Sequence, residues 1–402
     1  RSARRGGVGN PRETARRPRA DPMSKRPLLP RGTPAAPPPR KPAAAPEELP
    51  KETWRAFLVF GLGIPLHLYC GLSLTALIAY KLLLLGLRCG LQPSAPECRD
   101  FLLLHNPVFF TLLLLYLPLW LYPAHKRLPG WKGAEAFWEK LDYGTSGPNY
   151  CGSYEVRCLG EDLGMARRPE GALIVPGPPD PAGQYIVALH PHGAIVQARS
   201  FFRVNPRSAA PDSRCNVYRY LSRDWRCLAA SALFWIPVVR EMTLWFGAVD
   251  AGRETFEKVL KRGFSLLLWP GGITEQNETL AAETDSEGNL KKQVIWLKPR
   301  RGFVRLAVKN RVPIVPAFVF GEEKVVRAVR PLPEFVTRVL EKRLRVSTTL
   351  WLGRWNNIAA FRVPMRLCLG RALDVGGGGG ADGEALVERV FEAYKAELRA
   401  IF

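Results

Sequence analysis

The 402-residue sequence has only eight cysteines and five histidines, and no two of its cysteines form a C-x-x-C pair. That absence excludes a zinc ribbon and a thioredoxin-type redox motif. G-x-S-x-G is also missing, which argues against a serine nucleophile elbow and an acyl-enzyme intermediate. No lysine follows the paired glycines at residues 271–272, so they do not form a P-loop. Chemistry in this chain must therefore come from other residue types.

Acidic residues are scarce. Asp and Glu number 36 against 58 Lys and Arg, which gives a formal net charge of +22. Residues 1–55 hold fourteen basic and five acidic residues, so +9 lies there and +13 in the remainder. Basicity thus runs through the whole chain. It indicates an anionic partner: a phospholipid surface, a nucleic acid or a phosphate-bearing cosubstrate.

Composition divides the chain into three parts. Residues 1–50 are rich in Pro, Arg and Ala with few large apolar residues, which predicts a disordered basic tail. Residues 51–130 contain two hydrophobic stretches, 56–87 and 101–122, and each reaches the roughly 20 residues that a membrane span needs. Basic residues outside the pair predict a membrane hairpin, spanning or re-entrant, with both termini in the cytosol. The alternative is a pair of buried core helices. Residues 131–402 form the predicted catalytic domain.

The C-terminal part alternates short apolar runs with helical patterns. The runs are continuous, as expected for strands that are covered on both faces. Predicted strands lie at residues 184–190, 264–269, 314–320 and 363–369. Predicted helices lie at residues 253–262, 299–310 and 382–402. This alternation predicts an α/β fold, a substantially parallel sheet flanked by helices.

The sequence HPHG at residues 190–193 follows a predicted buried strand. Ligands of parallel α/β sheets bind outside the carboxyl ends of the strands, and histidine is the commonest general base. His190 and His192 are therefore candidate catalytic residues, and Gly193 would let a substrate approach the backbone closely. The alternative is a turn whose histidines only satisfy local hydrogen bonds. A third His or Cys ligand is not evident nearby, so we expect no metal.

A second motif, PGGITE at residues 270–275, also follows a predicted strand. The backbone N–H groups of Gly271 and Gly272 are candidates for binding an oxyanion or a phosphate. Glu275 could orient a histidine of the neighbouring strand end, as the carboxylate of a catalytic triad does. As a plain turn, the paired glycines would need no function.

A basic cluster accompanies the predicted helix that starts near Pro299. Basic side chains close to a helix N-terminus suit phosphate groups, such as those of coenzyme A. The candidate acyl-CoA-binding residues are Lys298, Arg300, Arg301 and Arg305. The alternative is a solvated helix face.

Together these motifs resemble the type-2 diacylglycerol acyltransferase family, which includes monoacylglycerol and wax-alcohol acyltransferases. The matching segments are HPHG at 190–193, PGG-x-x-E at 270–275, RRGFVRLA at 300–307 and PIVPAFVFGE at 313–322. The resemblance covers roughly residues 54–402. The proline that opens PGGITE is more similar to plant and algal members than to animal ones.

The resemblance implies an acyl-CoA-dependent O-acyltransferase with a glycerolipid acyltransferase-like fold. It implies acyl-CoA as cosubstrate and no cofactor, diacylglycerol as acceptor, triacylglycerol as product and membrane lipid as partner. A nucleic acid partner is not implied, and an oligomer is left open. The implied location is the endoplasmic reticulum membrane and the lipid-droplet surface. The alternatives are a monoacylglycerol or long-chain-alcohol acyltransferase and, outside enzymes, a basic protein that binds membrane surfaces or RNA.

Within this family, we expect His192 to be the general base and Glu275 to orient its ring. His190 would shape the turn, although the two histidines could exchange roles. Gly193, Gly271 and Gly272 would serve the oxyanion and the turn. Glycerol-phosphate acyltransferases, which are distantly similar, place an Asp four residues past the histidine. This sequence has none there, so Glu275 is expected to supply the carboxylate.

Overall fold

The structure, a computed structural model, describes residues 64–91, 107–127, 154–163, 172–193, 196–203, 217–278, 283–284, 290–297, 301–329, 332–333, 335–337, 339, 343, 350–354, 360–376 and 383–402. The α-helices of this part of the chain are α1 (Ile64–Leu91), α2 (Pro107–Leu121), α3 (Ala124–Arg127), α4 (Leu159–Leu163), α5 (Val239–Trp245), α6 (Arg253–Lys261), α7 (Gly272–Glu278), α8 (Gly302–Asn310) and α9 (Gly383–Ile401). The strands are β1 (Tyr154–Cys158), β2 (Ile186–His190), β3 (Trp225–Ala229), β4 (Ala248–Asp250), β5 (Ser265–Leu268), β6 (Glu283–Thr284), β7 (Leu290–Lys292), β8 (Ile314–Phe320), β9 (Arg327–Val329), β10 (Leu350–Leu352) and β11 (Met365–Leu369).

Seven strands form the main sheet, in the order β1-β11-β8-β2-β5-β3-β4. β11 runs antiparallel to β8, and every other neighbouring pair in this sheet is parallel. Two-stranded antiparallel ribbons, β9 with β10 and β6 with β7, lie outside it. The predicted α/β fold with a substantially parallel sheet is confirmed, and so are all four predicted strands.

Both faces of the sheet are covered, which explains why its central strands have continuous apolar sequences. Val187 and Leu189 of β2 belong to one buried cluster, whereas Ile186 and Ala188 belong to another on the opposite face. Successive side chains of a strand point to opposite faces, so a strand covered on both must be apolar at every position. The second cluster also contains the buried side chains of α6, α8 and α9.

Two predicted helices have nearly the expected bounds. The helix predicted at 253–262 is α6, and Gly263 follows it with a φ of +83°. The helix predicted at 382–402 is α9, and its apolar residues Leu386, Val390, Phe391, Tyr394 and Leu398 are buried. The helix predicted from residue 299 begins later, at Gly302, and Arg301 is its N-cap. Residues 298–300 lie outside the described part of the chain.

The two hydrophobic stretches contain α1 and α2. Several of their leucines are exposed, among them Leu83 and Leu115 at 61% and 68%. Within the described residues, neither these helices nor any other has the length and apolar character required to cross a membrane. The chain divides into two units, Arg1–Glu47 and Glu48–Phe402. The first carries most of the predicted disordered tail, which lies outside the described residues.

Polar contacts connect α2 to the segment before β4. The hydroxyl of Tyr116 donates to Oε2 of Glu241 at 2.6 Å. Nη2 of Arg240 donates to the backbone oxygen of Tyr122 at 2.7 Å. Nε1 of Trp120 donates to the backbone oxygen of Trp235 at 3.2 Å. The apolar helix is therefore held against the segment that connects β3 to β4.

Candidate active site

The two predicted motifs meet at one edge of the main sheet. β2 ends at His190, and its parallel neighbour β5 ends at Leu268, immediately before Trp269 and the paired glycines. Because the carboxyl ends of parallel neighbours lie side by side, HPHG and PGGITE come into contact there.

The His190 ring is fully buried, at 0% exposure, and both of its nitrogens are engaged. Nδ1 lies 2.8 and 2.9 Å from the two carboxylate oxygens of Glu275. Nε2 lies 2.8 Å from the hydroxyl of Tyr394. A carboxylate only accepts, so Nδ1 carries the proton and Nε2 accepts from the phenol. His190 in this arrangement offers no nitrogen to a substrate.

Tyr394 reaches the site from α9, which lies 204 residues beyond His190. Burial raises the pKa of its phenol well above the ordinary value, and the negative charge of Glu275 raises it further. The phenol therefore stays neutral and keeps the proton that it donates. The sequence indicates Tyr394 only as one residue of an apolar stripe, and this contact was missed. The available signal was a hydroxyl on a stripe that is otherwise apolar.

Glu275 holds the backbone of the turn as well as the ring of His190. Its side chain is 0% exposed. Oε1 accepts from the backbone N–H of His192 at 2.8 Å, and Oε2 accepts from the backbone N–H of Trp296 at 3.3 Å. The expected pairing of Glu275 with the ring of His192 is thus corrected: the carboxylate binds the ring of His190 and only the main chain of His192.

His192 is half-buried. Its Nδ1 lies 2.9 Å from the backbone oxygen of Gly193, so Nδ1 carries the proton and Nε2 keeps its lone pair. Among the described residues, Nε2 has no hydrogen-bond partner. Burial lowers the pKa of His192 below its ordinary value of 6.5, and the Gly193 carbonyl only partly opposes this. The ring of Trp269 meets it edge-on, with centroids 6.2 Å apart. His192 is therefore a neutral base with an open nitrogen.

Gly193 follows with a φ of +59°, a conformation that L side chains rarely adopt. A Cβ at this position would also lie 2.5 Å from Cγ of Glu322. Glu322 is 2% exposed and accepts from the backbone N–H of Ala198 at 2.9 Å. The glycine after His192 thus lets a buried carboxylate pack against the loop that carries the base.

The paired glycines shape the turn before α7. A Cβ on Gly271 would collide with the side chain of Glu275, so this glycine lets the carboxylate fold back toward β2. The N–H of Gly272 donates to the backbone oxygen of Trp269 at 3.2 Å. It is therefore engaged within the turn, which corrects the expectation that Gly272 offers a free donor to an oxyanion. The role of Gly271 as an oxyanion donor stays a prediction.

The basic cluster on α8 contacts α9. Arg301 lies 2.5 Å from a carboxylate oxygen of Glu388. Arg305 binds both oxygens of Glu384, at 2.6 and 3.0 Å. All four side chains are at least 41% exposed, so these pairs are screened by solvent. Lys298 and Arg300 lie outside the described residues. Within the described part, no cluster of three or more His, Cys, Asp or Glu is arranged to hold a metal ion.

Comparison with known proteins gives a consistent result. A family profile described as "Diacylglycerol acyltransferase" matches residues 179–402, which include the whole site. Diacylglycerol O-acyltransferase 2B of Umbelopsis ramanniana is 28% identical over 38% of this chain and 40% of that protein. Acyl-CoA wax alcohol acyltransferase 2 of Homo sapiens is 29% identical over 35% of this chain and 39% of that protein. 2-Acylglycerol O-acyltransferase 3 of Homo sapiens is 26% identical over 49% of this chain and 57% of that protein. The chain therefore spans about two fifths to three fifths of the length of these relatives.

Proposed function

The chain belongs to the diacylglycerol acyltransferase family, and from that premise we propose that it transfers an acyl group from acyl-CoA to the hydroxyl of diacylglycerol, which makes triacylglycerol. One observation carries the mechanism: the half-buried His192 has its Nδ1–H bound to the Gly193 carbonyl and its Nε2 open. A general base needs such a nitrogen within hydrogen-bond reach of the hydroxyl that attacks.

The acyl group passes directly from coenzyme A to the acceptor, without an acyl-enzyme intermediate. As the acceptor oxygen attacks the thioester carbonyl carbon, its proton passes to Nε2 of His192. The tetrahedral intermediate then expels the coenzyme A sulfur, the C–S bond breaks, and the imidazolium returns the proton to the thiolate. The products are an ester and free coenzyme A. Since the ring is neutral at rest, it accepts this proton without first losing one.

Glu275 acts on this step through the backbone. It binds the backbone N–H of His192 and the ring of His190, which lies two residues before His192. Its charge also favours the imidazolium form of His192. In this proposal His192 is the catalytic residue, whereas His190, Glu275 and Tyr394 are positioning residues. Gly193 and Gly271 remain the proposed neighbours of the oxyanion.

We place the phosphates of acyl-CoA on the basic residues around the start of α8. Arg301 and Arg305 are 41% and 55% exposed, so both can exchange a glutamate partner for a phosphate. Arginine binds phosphate in a bidentate manner, which makes such an exchange favourable. Lys298 and Arg300 are the other residues of this proposed site, and no cofactor is required.

Three acceptors fit this mechanism, because each has at least one free hydroxyl that the base can deprotonate. Diacylglycerol is the proposed acceptor, and the relatives' names support monoacylglycerol and a long-chain alcohol as alternatives. Acyl transfer to any of these alcohols would distinguish an enzyme from the non-enzymatic alternative, a basic protein that binds membrane surfaces or RNA. The proposed location is the endoplasmic reticulum membrane and the lipid-droplet surface, where a hairpin anchor within residues 51–130 would meet membrane lipid. The exposed leucines of α1 and α2 support it.

The experiment is transfer of labelled oleate from oleoyl-CoA by purified full-length protein in mixed micelles. Dioleoylglycerol, monooleoylglycerol and hexadecanol are supplied separately, and His192→Ala is assayed in parallel. We expect most product from dioleoylglycerol and a loss of about 10²–10⁴-fold in the variant, because that is the usual contribution of a general base. Equal turnover by the variant, with normal folding, would refute the mechanism. No acyl ester from any alcohol would refute the function.

A further inference from the structure

A second group of buried polar side chains lies at the carboxyl ends of β3 and β4. Asp250, the last residue of β4, is 6% exposed, and its Oδ1 accepts from the hydroxyl of Ser231. Its Oδ2 accepts from the backbone N–H of Gly252 at 3.1 Å. His125 of α3 packs against the same strand and is 8% exposed. We call His125, Ser231 and Asp250 the β4 cluster.

His125 is the unexplained member of the β4 cluster. Its ring stacks on Phe234, with centroids 4.7 Å apart and an interplanar angle of 14°. Nδ1 is buried and has no hydrogen-bond partner within the described part of the chain. Buried polar atoms in folded proteins are nearly always paired, because an unpaired one forfeits its hydration without compensation. A buried nitrogen that lacks a protein partner is therefore suited to a ligand.

The surroundings of His125 select an uncharged ligand atom. Burial is the main cause that lowers its pKa, Lys126 and Arg240 lower it further, and Asp250 opposes them. Asp250 already has its Ser231 and Gly252 donors, and Arg240 lies 2.5 Å from Glu241. The imidazole is thus neutral, and the charged groups of Asp250 and Arg240 beside it already have partners. A neutral ring can exchange a hydrogen bond with a hydroxyl or carbonyl oxygen, and it supplies no positive charge to bind a phosphate.

The β4 cluster shares the sheet edge of His192. In the order β2-β5-β3-β4, three strand spacings of about 4.8 Å, on the order of 14 Å in total, separate the ends of β2 and β4. Apolar surface adjoins it. Trp120 of α2 binds the backbone of Trp235, four residues from Ser231, and Trp235 is 56% exposed. Buried polar groups and exposed apolar surface are therefore adjacent at this end of the sheet.

We propose that the β4 cluster is the head-group site of the acyl acceptor, and that Nδ1 of His125 hydrogen-bonds an ester or hydroxyl oxygen of a neutral glycerolipid. This site rests on the proposed function and specifies where its acceptor binds. The acyl chains of the acceptor lie among the exposed leucines of α1 and α2. The hydroxyl that reacts then points along the sheet edge toward His192.

The test compares two substitutions at His125 in the full-length protein. His125→Phe keeps an aromatic ring on Phe234 but removes both nitrogens, whereas His125→Asn places an amide nitrogen near the position of Nδ1. Tyr122→Phe is the matched control, since it removes a hydroxyl three residues away whose partner is Arg127 at the surface. KM for dioleoylglycerol and KM for oleoyl-CoA are measured separately in mixed micelles, together with the melting temperature.

We expect His125→Phe to raise KM for dioleoylglycerol about three- to tenfold, the value of one neutral hydrogen bond, with KM for oleoyl-CoA unchanged. His125→Asn should restore the wild-type value to within about twofold, and Tyr122→Phe should not differ from it. An unchanged KM for dioleoylglycerol in His125→Phe would overturn the site, and a higher melting temperature beside it would show that Nδ1 is only an unpaired buried nitrogen. Wild-type protein that acylates no alcohol would overturn the proposed function and this site together. An active wild type with an indifferent His125→Phe overturns the site alone.

Discussion

Replacing Glu275 by Gln tests how the carboxylate supports the base. The carboxylate accepts from Nδ1 of His190 at 2.8 Å, from the backbone N–H of His192 at 2.8 Å and from that of Trp296 at 3.3 Å. Glutamine has only one carbonyl oxygen, so it can accept hydrogen bonds at only one of the two positions that the carboxylate oxygens occupy. On the other side its NH₂ group would face an N–H donor. The variant thus loses about one hydrogen bond to a charged group, ~1.5–3 kcal/mol.

The same loss should be visible in stability and in rate. We expect the free energy of unfolding of Glu275→Gln to fall by about 1.5–3 kcal/mol, because the side chain is fully buried and no solvent replaces the lost bond. If the displaced turn moves His192 by the same free energy in the transition state, kcat falls about 10- to 150-fold. KM for acyl-CoA should stay within about twofold, since the hydrogen bonds described for Glu275 go to His190, His192 and Trp296 and not to Arg301 or Arg305.

The assays are urea denaturation and steady-state acyl transfer for Glu275→Gln, His192→Ala and the double variant. The matched control is Glu254→Gln, the same substitution at a side chain that is 79% exposed, and it should behave as wild type. Because both residues act on one step, the double variant should be scarcely slower than His192→Ala alone. A kcat within about twofold of wild type in Glu275→Gln, or effects that multiply in the double variant, would refute the coupling.

Three further outcomes are expected. Since burial lowers the pKa of His192, the acid limb of kcat/KM should have its midpoint below pH 6.5. A midpoint above that value in a pH–rate profile would contradict a half-buried neutral base. Tyr394→Phe leaves Nε2 of His190 buried without a donor, so the free energy of unfolding should fall by about 1–3 kcal/mol and kcat should decrease. The control Tyr185→Phe loses only a hydrogen bond to the backbone of residue 180 and should keep the wild-type kcat. Arg305→Ala should raise KM for acyl-CoA about three- to tenfold. Glu384→Gln should lower this KM, because it frees Arg305 to bind phosphate. An unchanged KM in both variants would show that Arg305 forms only its salt bridge with Glu384 and does not bind acyl-CoA.

Three of the four strands that the sequence predicted are covered on both faces. β2, β5 and β8 are buried at nearly every position, so their apolar runs are continuous and easy to recognise. β1, with the sequence YEVRC, and β4, with three residues, were missed. In β1, apolar residues alternate with charged ones, and β4 is too short to show a recognisable apolar run. Position after a buried strand was the signal for both candidate motifs, HPHG and PGGITE.

The details of the site depend on geometry that sequence spacing does not contain. From the sequence alone, either histidine could be the partner of Glu275, because the two lie only two residues apart at the end of the same strand. The choice of His190 follows from the strand direction at residue 190 and from the left-handed backbone at Gly193. Tyr394 could not be assigned either, since its contact depends on how α9 packs across α8 and the sheet.

The distance in sequence between His190 and Tyr394 also orders events during synthesis. A ribosome adds about 5–20 residues per second. The 204 residues that separate the two positions therefore take on the order of 10–40 s. During that interval the strand that ends in HPHG exists without the hydroxyl that closes it. A nascent chain therefore contains the HPHG turn before Tyr394 has been made, and the contact between His190 and Tyr394 forms only after α9 has docked.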